Sequence, residues 1–498
     1  MEENNLNSSE EVIDIIDLPV EKVEEPRIVQ TDIGSKDGQT KCPKCGSTDI
    51  SLNVNNGHLR CNFCRHEFEP EKVVGLETDL YNLKGQVFAS GTQDIEADSK
   101  DVVTFKCSSC GAEVIINTAS STQARCHWCR NMLSINQQIK NGSIPDVLLP
   151  FQVSKEEAKK EIERFVGKRK FYAHPKFKAE FTTQNIMGVY FPYMIVDVNA
   201  HANYAGQGEH QVRSYTEGSG DNQRRYYDAD LYSIEREFDL VINGLTVESN
   251  SDKLNSKSSD KTNNIINAIM PFDIENCVKY DSNYLNGFTS EKRDVNIEQL
   301  KTIVETQSKD IARFTGNKTL KYYDRGVAWK TEEFEVKGQQ WKAAYLPIWL
   351  YSYQQVKGNK KKLHYVAVNA RTKETMGSVP IHMPKLIFIS FLVELLGILL
   401  VAFVDFDKNW IFLIPGVVYF AVQFTKYRNS NARHTYELET KTEMSNVREF
   451  DVMVDTKRKL SSPRMFGSNN KIVHGKGKTS EVVDKLISGT ELGKFLGK

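Results

Sequence analysis

Apolar positions divide the chain into three regimes. Residues 1–41 show little periodicity beyond one island, Val12 to Leu18, that mixes aliphatic and acidic side chains. From 145 to 380 the pattern is that of a folded unit. Ser154 followed by Glu157 makes a capping box, and Ala158, Ile162, Phe165 and Val166 recur at helical spacing behind it, which predicts a helix. Residues 189–204 and 226–247 alternate instead, with Tyr232, Ile234, Phe238, Leu240 and Ile242 set among polar neighbours, and predict antiparallel strands. Glu298 to Phe314 returns to the helical period, while 249–264 is a polar loop. The third regime is denser. Leu386 to Val404 is nineteen residues with one charge, a helix rising close to the ~30 Å of a bilayer interior. After a break at Asp405 to Asn409, a second apolar run covers Trp410 to Phe424.

These two runs predict a transmembrane hairpin over 385–425. Lys385 precedes it, Lys426, Arg428 and Arg433 follow it, and Asp405 and Asp407 sit in its connection. Positive flanks stay inside, so the expectation is a two-helix, multi-pass cell-membrane protein with both termini cytoplasmic and lipid as a partner. Glu394 lies mid-run, where a charge is costly. Either it is protonated or hydrogen-bonded within the helix pair, or it specifies association with another subunit.

The middle region echoes itself. Leu149-Pro150-Phe151 recurs as Met270-Pro271-Phe272, and Val189-Tyr190-Phe191-Pro192-Tyr193 as Ala344-Tyr345-Leu346-Pro347-Ile348. Unequal gaps between the paired segments leave two related halves and chance similarity both open.

Composition sharpens the picture at two points. Net charge is zero, yet residues 1–41 hold eleven Asp and Glu against four Lys and Arg, and 426–498 hold fifteen Lys and Arg against nine Asp and Glu. The acidic head is expected to be disordered, and the basic tail to lie against lipid, dock to a partner or pack on the main domain. Second, eight of nine cysteines form four Cys-x-x-Cys pairs. Cys42, Cys45, Cys61 and Cys64 make one set, Cys107, Cys110, Cys126 and Cys129 another, each with fifteen residues between its pairs. Two such knuckles close a tetrahedron of thiolates, so each set is expected to hold a structural Zn²⁺, two per chain, with no open position for water. Each ribbon is too small to be held by burial, so metal should supply most of its folding free energy. Paired knuckles in a long chain also point to a reducing compartment.

The expected fold is therefore multi-domain. It has two small β zinc ribbons (42–69 and 107–135) joined by a linker (70–106), and a mixed α+β domain rich in antiparallel strands (145–380). The transmembrane hairpin (385–425) and a basic cytoplasmic tail (426–498) follow. Lys44, Arg60, Arg65 and His66 surround the first ribbon, Lys106, Arg125, His127 and Arg130 the second, and Phe63 and Trp128 sit inside the last knuckles. Such side chains would suit nucleic acid; the plainer expectation is aromatics packed beneath the metal and charges solvated.

Catalytic motifs do not assemble. Gly477-Lys478-Thr479 ends like a phosphate loop, but the earlier glycine would fall at Ile472. His201 and His210 read as ordinary strand or loop residues and Cys277 as a buried thiol, so no enzyme is expected.

The segments KCPKCGS…LRCNFC, LLPFQVSKEEAKKEI, GVYFPYMIVDVNAHANYAG, MPFD…YLNGF and AAYLPIWLY, followed by the apolar hairpin, give the chain its family likeness. Over about 40–430 it resembles bacterial TFIIB-type zinc-ribbon membrane proteins. The resemblance implies a scaffold or adaptor role at the membrane beside flotillin-like (SPFH) and phage-shock-type proteins. Two ribbons and a long basic tail depart from that pattern. A membrane-tethered nucleic-acid-binding or transcription-linked protein is the alternative.

Overall fold

The computed structural model describes residues 26–31, 41–94, four short strands between 102 and 134, 144–250, 269–403, 414–427 and 436–461, apart from short breaks within these spans. The chain opens with β1 (Arg27–Val29) and then β2 (Ile50–Leu52), β3 (Leu59–Cys61) and β4 (Glu67–Phe68). Next come β5 (Gly85–Ala89), β6 (Val102–Lys106), β7 (Glu113–Asn117), β8 (Gln123–Arg125), β9 (Met132–Ser134) and β10 (Val147–Leu148). Helices α1 (Lys155–Gly167) and α2 (Pro175–Glu180) lead into the long strands β11 (Met187–Glu217) and β12 (Arg224–Glu248). Two short strands, β13 (Val278–Lys279) and β14 (Thr289–Ser290), precede helix α3 (Ile297–Gly316). Strand β15 (Val327–Lys357) follows, then β16 (Lys360–Asn369) and β17 (Thr375–Gly377). The chain finishes with α4 (Met383–Phe403), α5 (Pro415–Tyr427), the one-turn α6 (Tyr436–Glu439) and β18 (Lys441–Leu460).

The molecule is mostly β. One mixed eleven-stranded sheet runs β1-β5-β15-β11-β12-β18 along its main path, with the short strands added at its margins. This corrects the expected α+β middle domain: helices are few, and strands from 27–29, 85–89 and 441–460 belong to the same sheet. The alternation legible in 189–204 and 226–247 runs on as cross-strand pairing from Tyr193↔Glu248 to Glu217↔Arg224. The α1 capping box is present, Ser154 Oγ accepting the Glu157 amide at 3.3 Å, and Ala158, Ile162, Phe165 and Val166 are its buried face.

A two-fold-like arrangement organises the sheet centre. The echoed segments lie side by side and antiparallel, Tyr190 opposite Pro347, Phe191 opposite Leu346 and Pro192 opposite Tyr345. Around this crossing, hydrogen bonds recur in pairs. The Leu149 amide donates to the Tyr345 carbonyl and the Glu291 amide to the Tyr190 carbonyl, both at 2.9 Å. The Ala370 amide donates to Pro347 and the Ser249 amide to Pro192, both at 3.2 Å. β10 lies parallel on β15 and β14 parallel on β11, so each short strand before a helix sits on the long strand of the opposite half. In this correspondence Leu149 matches Glu291, so the Leu-Pro-Phe and Met-Pro-Phe segments are not equivalent positions.

The three largest apolar clusters among the described residues fill most of the body. On one side of the long strands, α3 packs Leu300, Val304 and Ile311 against Val196, Val198, Phe238, Leu240 and Trp341. A second cluster joins α1, Phe151, Tyr190, Tyr284 and Trp349, with Phe151 stacked on Phe288 at 4.1 Å. The third gathers Leu149, Phe191, Tyr193, Met270, Phe272 and Leu346.

The apolar run near the end of the chain forms the helix pair α4 and α5, and it overturns the transmembrane expectation. Among the described residues no helix is long and apolar enough to cross a membrane. The physical reason lies in how the pair is seated. At the base of α4 Leu386 and Ser390 are buried while Ile387 and Phe388 in the same turns face out, and the thirteen residues of α5 rise only about 20 Å, against the ~30 Å of a bilayer interior. Tyr427 is buried and accepts the Tyr172 amide on its hydroxyl at 3.0 Å, and the Tyr172 and Tyr419 hydroxyls meet at 2.7 Å. The multi-pass membrane localisation, and the orientation of the termini derived from it, are withdrawn with the spans. Phe388, Phe391, Leu396 and Val417 remain exposed on the pair.

Glu394 has a local partner. Its Oε2 accepts the Gly416 amide at 2.8 Å, at the first turn of α5, where a carboxylate complements the unsatisfied N–H groups and the helix dipole. A Cβ on Gly416 would stand 2.4 Å from the Ser390 carbonyl oxygen, so glycine lets the two helices approach this closely.

Candidate metal centre

The first ribbon is the three-stranded sheet β2-β3-β4 with its two knuckles. The first knuckle folds because the Gly46 amide donates to the Cys42 carbonyl at 2.8 Å, with Gly46 at φ 72°, a conformation open to glycine. In the second, Arg65 adopts φ 63° and donates its amide to the Cys61 carbonyl at 3.0 Å. These turns bring Cys42, Cys45, Cys61 and Cys64 together, their sulfurs all within 4.8 Å of one another. Cys42 and Cys64 Sγ are 3.6 Å apart, as are Cys45 and Cys61 Sγ. Four sulfurs at ~2.3 Å around a tetrahedral ion would be about 3.8 Å apart, so the donor set fits a metal ion. The Cys64 amide, and after the opposing effect of burial the Phe63 amide, point at Cys61 Sγ and hold its thiol down at about 6.

The loop between β2 and β3 is braced from β4. Glu67 accepts from Asn56 Nδ2 at 3.0 Å and Asn53 Nδ2 at 3.1 Å, which lowers its carboxyl below the usual range. The ribbon's apolar side is docked on the body: Ile50 and Leu59 are buried in the cluster that holds Tyr284 and Phe151, and Leu52, Val54 and Phe68 pack against it. The opposite side is open. Phe63, between the cysteines of the second knuckle, is 80% exposed, contrary to the expectation that it packs beneath the metal.

Cys107, Cys110, Cys126 and Cys129 lie outside the described residues, as does Trp128. The strands flanking them pair as two hairpins, β6 with β7 and β8 with β9. Cys277 lines a cavity of about 310 Å³ bounded also by Lys72, Val147, Asp197, Phe272 and Lys342, and burial pushes its thiol up to about 12. The floor of that cavity is saturated: Asp197 accepts from the Gly244 amide at 2.9 Å and Gln340 Nε2 at 3.2 Å, and pairs with Lys342 Nζ at 3.0 Å. His201 and His210 are strand residues bound to Asp239 (2.9 Å) and the Tyr322 carbonyl (2.9 Å).

One site was invisible in the sequence. Asp146 is buried just before β10 and accepts from Thr31 Oγ1 (2.6 Å), the Gly91 amide (2.6 Å) and the Ala343 amide (2.8 Å). Buried Arg293 donates to the Thr92 and Gln93 carbonyls beside it. Desolvation dominates, raising the Asp146 carboxyl to about 6 and lowering Arg293 to about 10. This cluster fastens residues 27–31 and 85–93 to the sheet, and its members are too far apart in sequence to form a motif.

Comparison with protein-family models, with curated proteins and with solved structures finds no match, so none of them identifies the zinc-ribbon family suggested by the motifs. What the residues themselves establish is a four-cysteine group able to hold a metal ion.

Proposed function

We propose that the chain is a non-enzymatic, zinc-stabilised adaptor that presents its first ribbon to a protein partner. One observation carries this reading: Phe63 is 80% exposed on a ribbon whose other side is already packed on the body. An aromatic that contributes nothing to its own core, held rigidly between two metal ligands, is the kind of anchor that fills a pocket on a partner. Lys44 and Arg65, one in each knuckle, are exposed cations of the same ribbon, so the pocket should be apolar with an acidic rim. Four thiolates close to a tetrahedron suit zinc, and a closed set would leave no position for a reacting water. The second cysteine set would hold a second zinc in the same way.

The test replaces Phe63 with a photo-crosslinking phenylalanine analogue in the full chain. A nuclease-resistant adduct of defined mass, competed away by untagged wild type but not by Phe63→Ala, is expected. An adduct that disappears on nuclease treatment, or no adduct at all, would overturn the reading.

A further inference from the structure

We propose that the far end of the β11–β12 hairpin, together with the last residues of β18, is a binding surface for single-stranded nucleic acid. This surface is separate from the ribbon and does not depend on what the ribbon binds. Tyr215 and Tyr226 face each other across the two strands with ring centroids 6.1 Å apart. The Arg213 guanidinium lies over Tyr215 at 5.0 Å and the Lys459 ammonium over Tyr226 at 5.0 Å. On the opposite face Arg225 and Arg325 lie over Tyr227 at 5.6 and 4.5 Å.

Charge is concentrated here in a chain whose net charge is zero. Among the described residues of 212–229 and 456–461, the cations are Arg213, Arg224, Arg225, Lys457, Arg458 and Lys459, against the carboxylates Glu217 and Asp228. Three of the cations are paired, Arg213 with Asp228 at 2.7 Å, Lys459 with Glu217 at 2.6 Å and Lys457 with Glu209 at 3.0 Å. Lys459 and Glu217 are both exposed, 56% and 46%, a solvated surface pair that a phosphate can replace at little cost, whereas Asp228 beneath Arg213 is buried, so Arg213 stays paired and offers its exposed guanidinium face. Arg224, Arg225 and Arg458 are exposed as well.

Side chains alternate along a strand, so each face offers cations and rings in a row, the layout that tracks a phosphate backbone while bases stack on tyrosine and guanidinium planes. A lipid surface would instead call for an apolar wedge, and the only large exposed aliphatic among these residues is Val212. The geometry therefore favours an unpaired strand over a membrane.

The experiment is fluorescence anisotropy of a labelled 20-nucleotide oligothymidine with the full chain, repeated from 50 to 300 mM salt. Wild type should bind with a salt-dependent affinity. The triple variant R224A/R225A/K459A should bind at least tenfold more weakly, with a log–log salt slope shallower by about 2 for three lost phosphate contacts. The pair Y215L/Y226L should weaken binding several-fold without changing that slope. The proposal fails if wild type does not bind at 50 mM salt, if it binds only phosphatidylserine vesicles, or if folded triple variant binds like wild type. It also fails if Lys44→Ala/Arg65→Ala in the ribbon abolishes binding while the triple variant keeps it.

Discussion

The first ribbon and the centre of the large sheet are both β-structures, and they are held by opposite means. The ribbon's strands are two or three residues long, and its buried residues are few: Cys42, Ile50, Leu59 and Cys61. At the sheet centre, 31-residue strands β11 and β15 pair along most of their length and bury Tyr190, Tyr193, Trp341 and Tyr345 almost completely. The ribbon has a set of four cysteines able to hold a metal ion where the sheet has buried apolar area. A region of the first kind should fail with its metal, all at once and alone; one of the second kind should fail in proportion to what is cut from its core.

The largest effect tests the first half of that comparison. Structural zinc supplies on the order of 10 kcal/mol to small domains. Chelation, or Cys61→Ser, should therefore expose 42–69 to protease while the sheet keeps its cooperative thermal transition; unchanged cleavage within 42–69 would refute it. Next in size is Trp341→Ala, which removes a fully buried indole of β15 from the cluster it shares with β11, β12 and α3 and should cost about 3–5 kcal/mol of global stability by denaturant titration. If the ribbon melted in that variant while the sheet did not, the two regions would not be held as described.

A smaller effect concerns Asp146, which joins the N-terminal segment to the sheet. Its folded carboxyl titrates near 6 against an ordinary 3.8, so folding takes up a proton between these values. The stabilisation from that proton is complete below about pH 4 and is lost as pH rises through 6. Asp281, raised to about 6 by burial, acts in the same direction. Asp146→Asn should flatten the fall in melting temperature between pH 4 and 6.5; an unaltered pH profile would show that Asp146 does not titrate there. The smallest effect is Ser154→Ala, which removes the α1 cap and should cost about 1 kcal/mol. Glu157, held at about 2 by Lys373 and by Ser154, adds stability that is present above pH 4.5 and lost as pH falls towards 2.

How much of this could be read from the chain follows from the range of each interaction. The first cysteine set and the α1 cap were legible because their geometry is set within a few residues. The extent of the sheet was not. Beyond Tyr204 the inward positions of β11 become Gly206 and Gly208, so the apolar alternation fades although the pairing continues. In β18 both faces are largely exposed, and its sequence reads as a polar, basic tail. The helix pair was misread because hydropathy does not register that Tyr172 and Tyr427 seat its base on the body. Asp146 gathers partners from 31, 91 and 343, and no local pattern announces it.

The exchange of short strands across the sheet centre has a kinetic consequence. β10 can find its neighbour on β15 only after about 200 further residues have been made, and β14 must reach back about 100 residues to β11. Neither half can close its own part of the large sheet: within it the sequence-local pairings among the described residues are β11–β12 and β15–β16–β17, and the contacts that join them come from far along the chain. Such separations slow folding, because chain closure is costly before the contacts that reward it form. During synthesis β11 must wait with one edge unpaired until residues 327–350 emerge, and that edge is the place where a growing chain would meet another copy of itself or a chaperone.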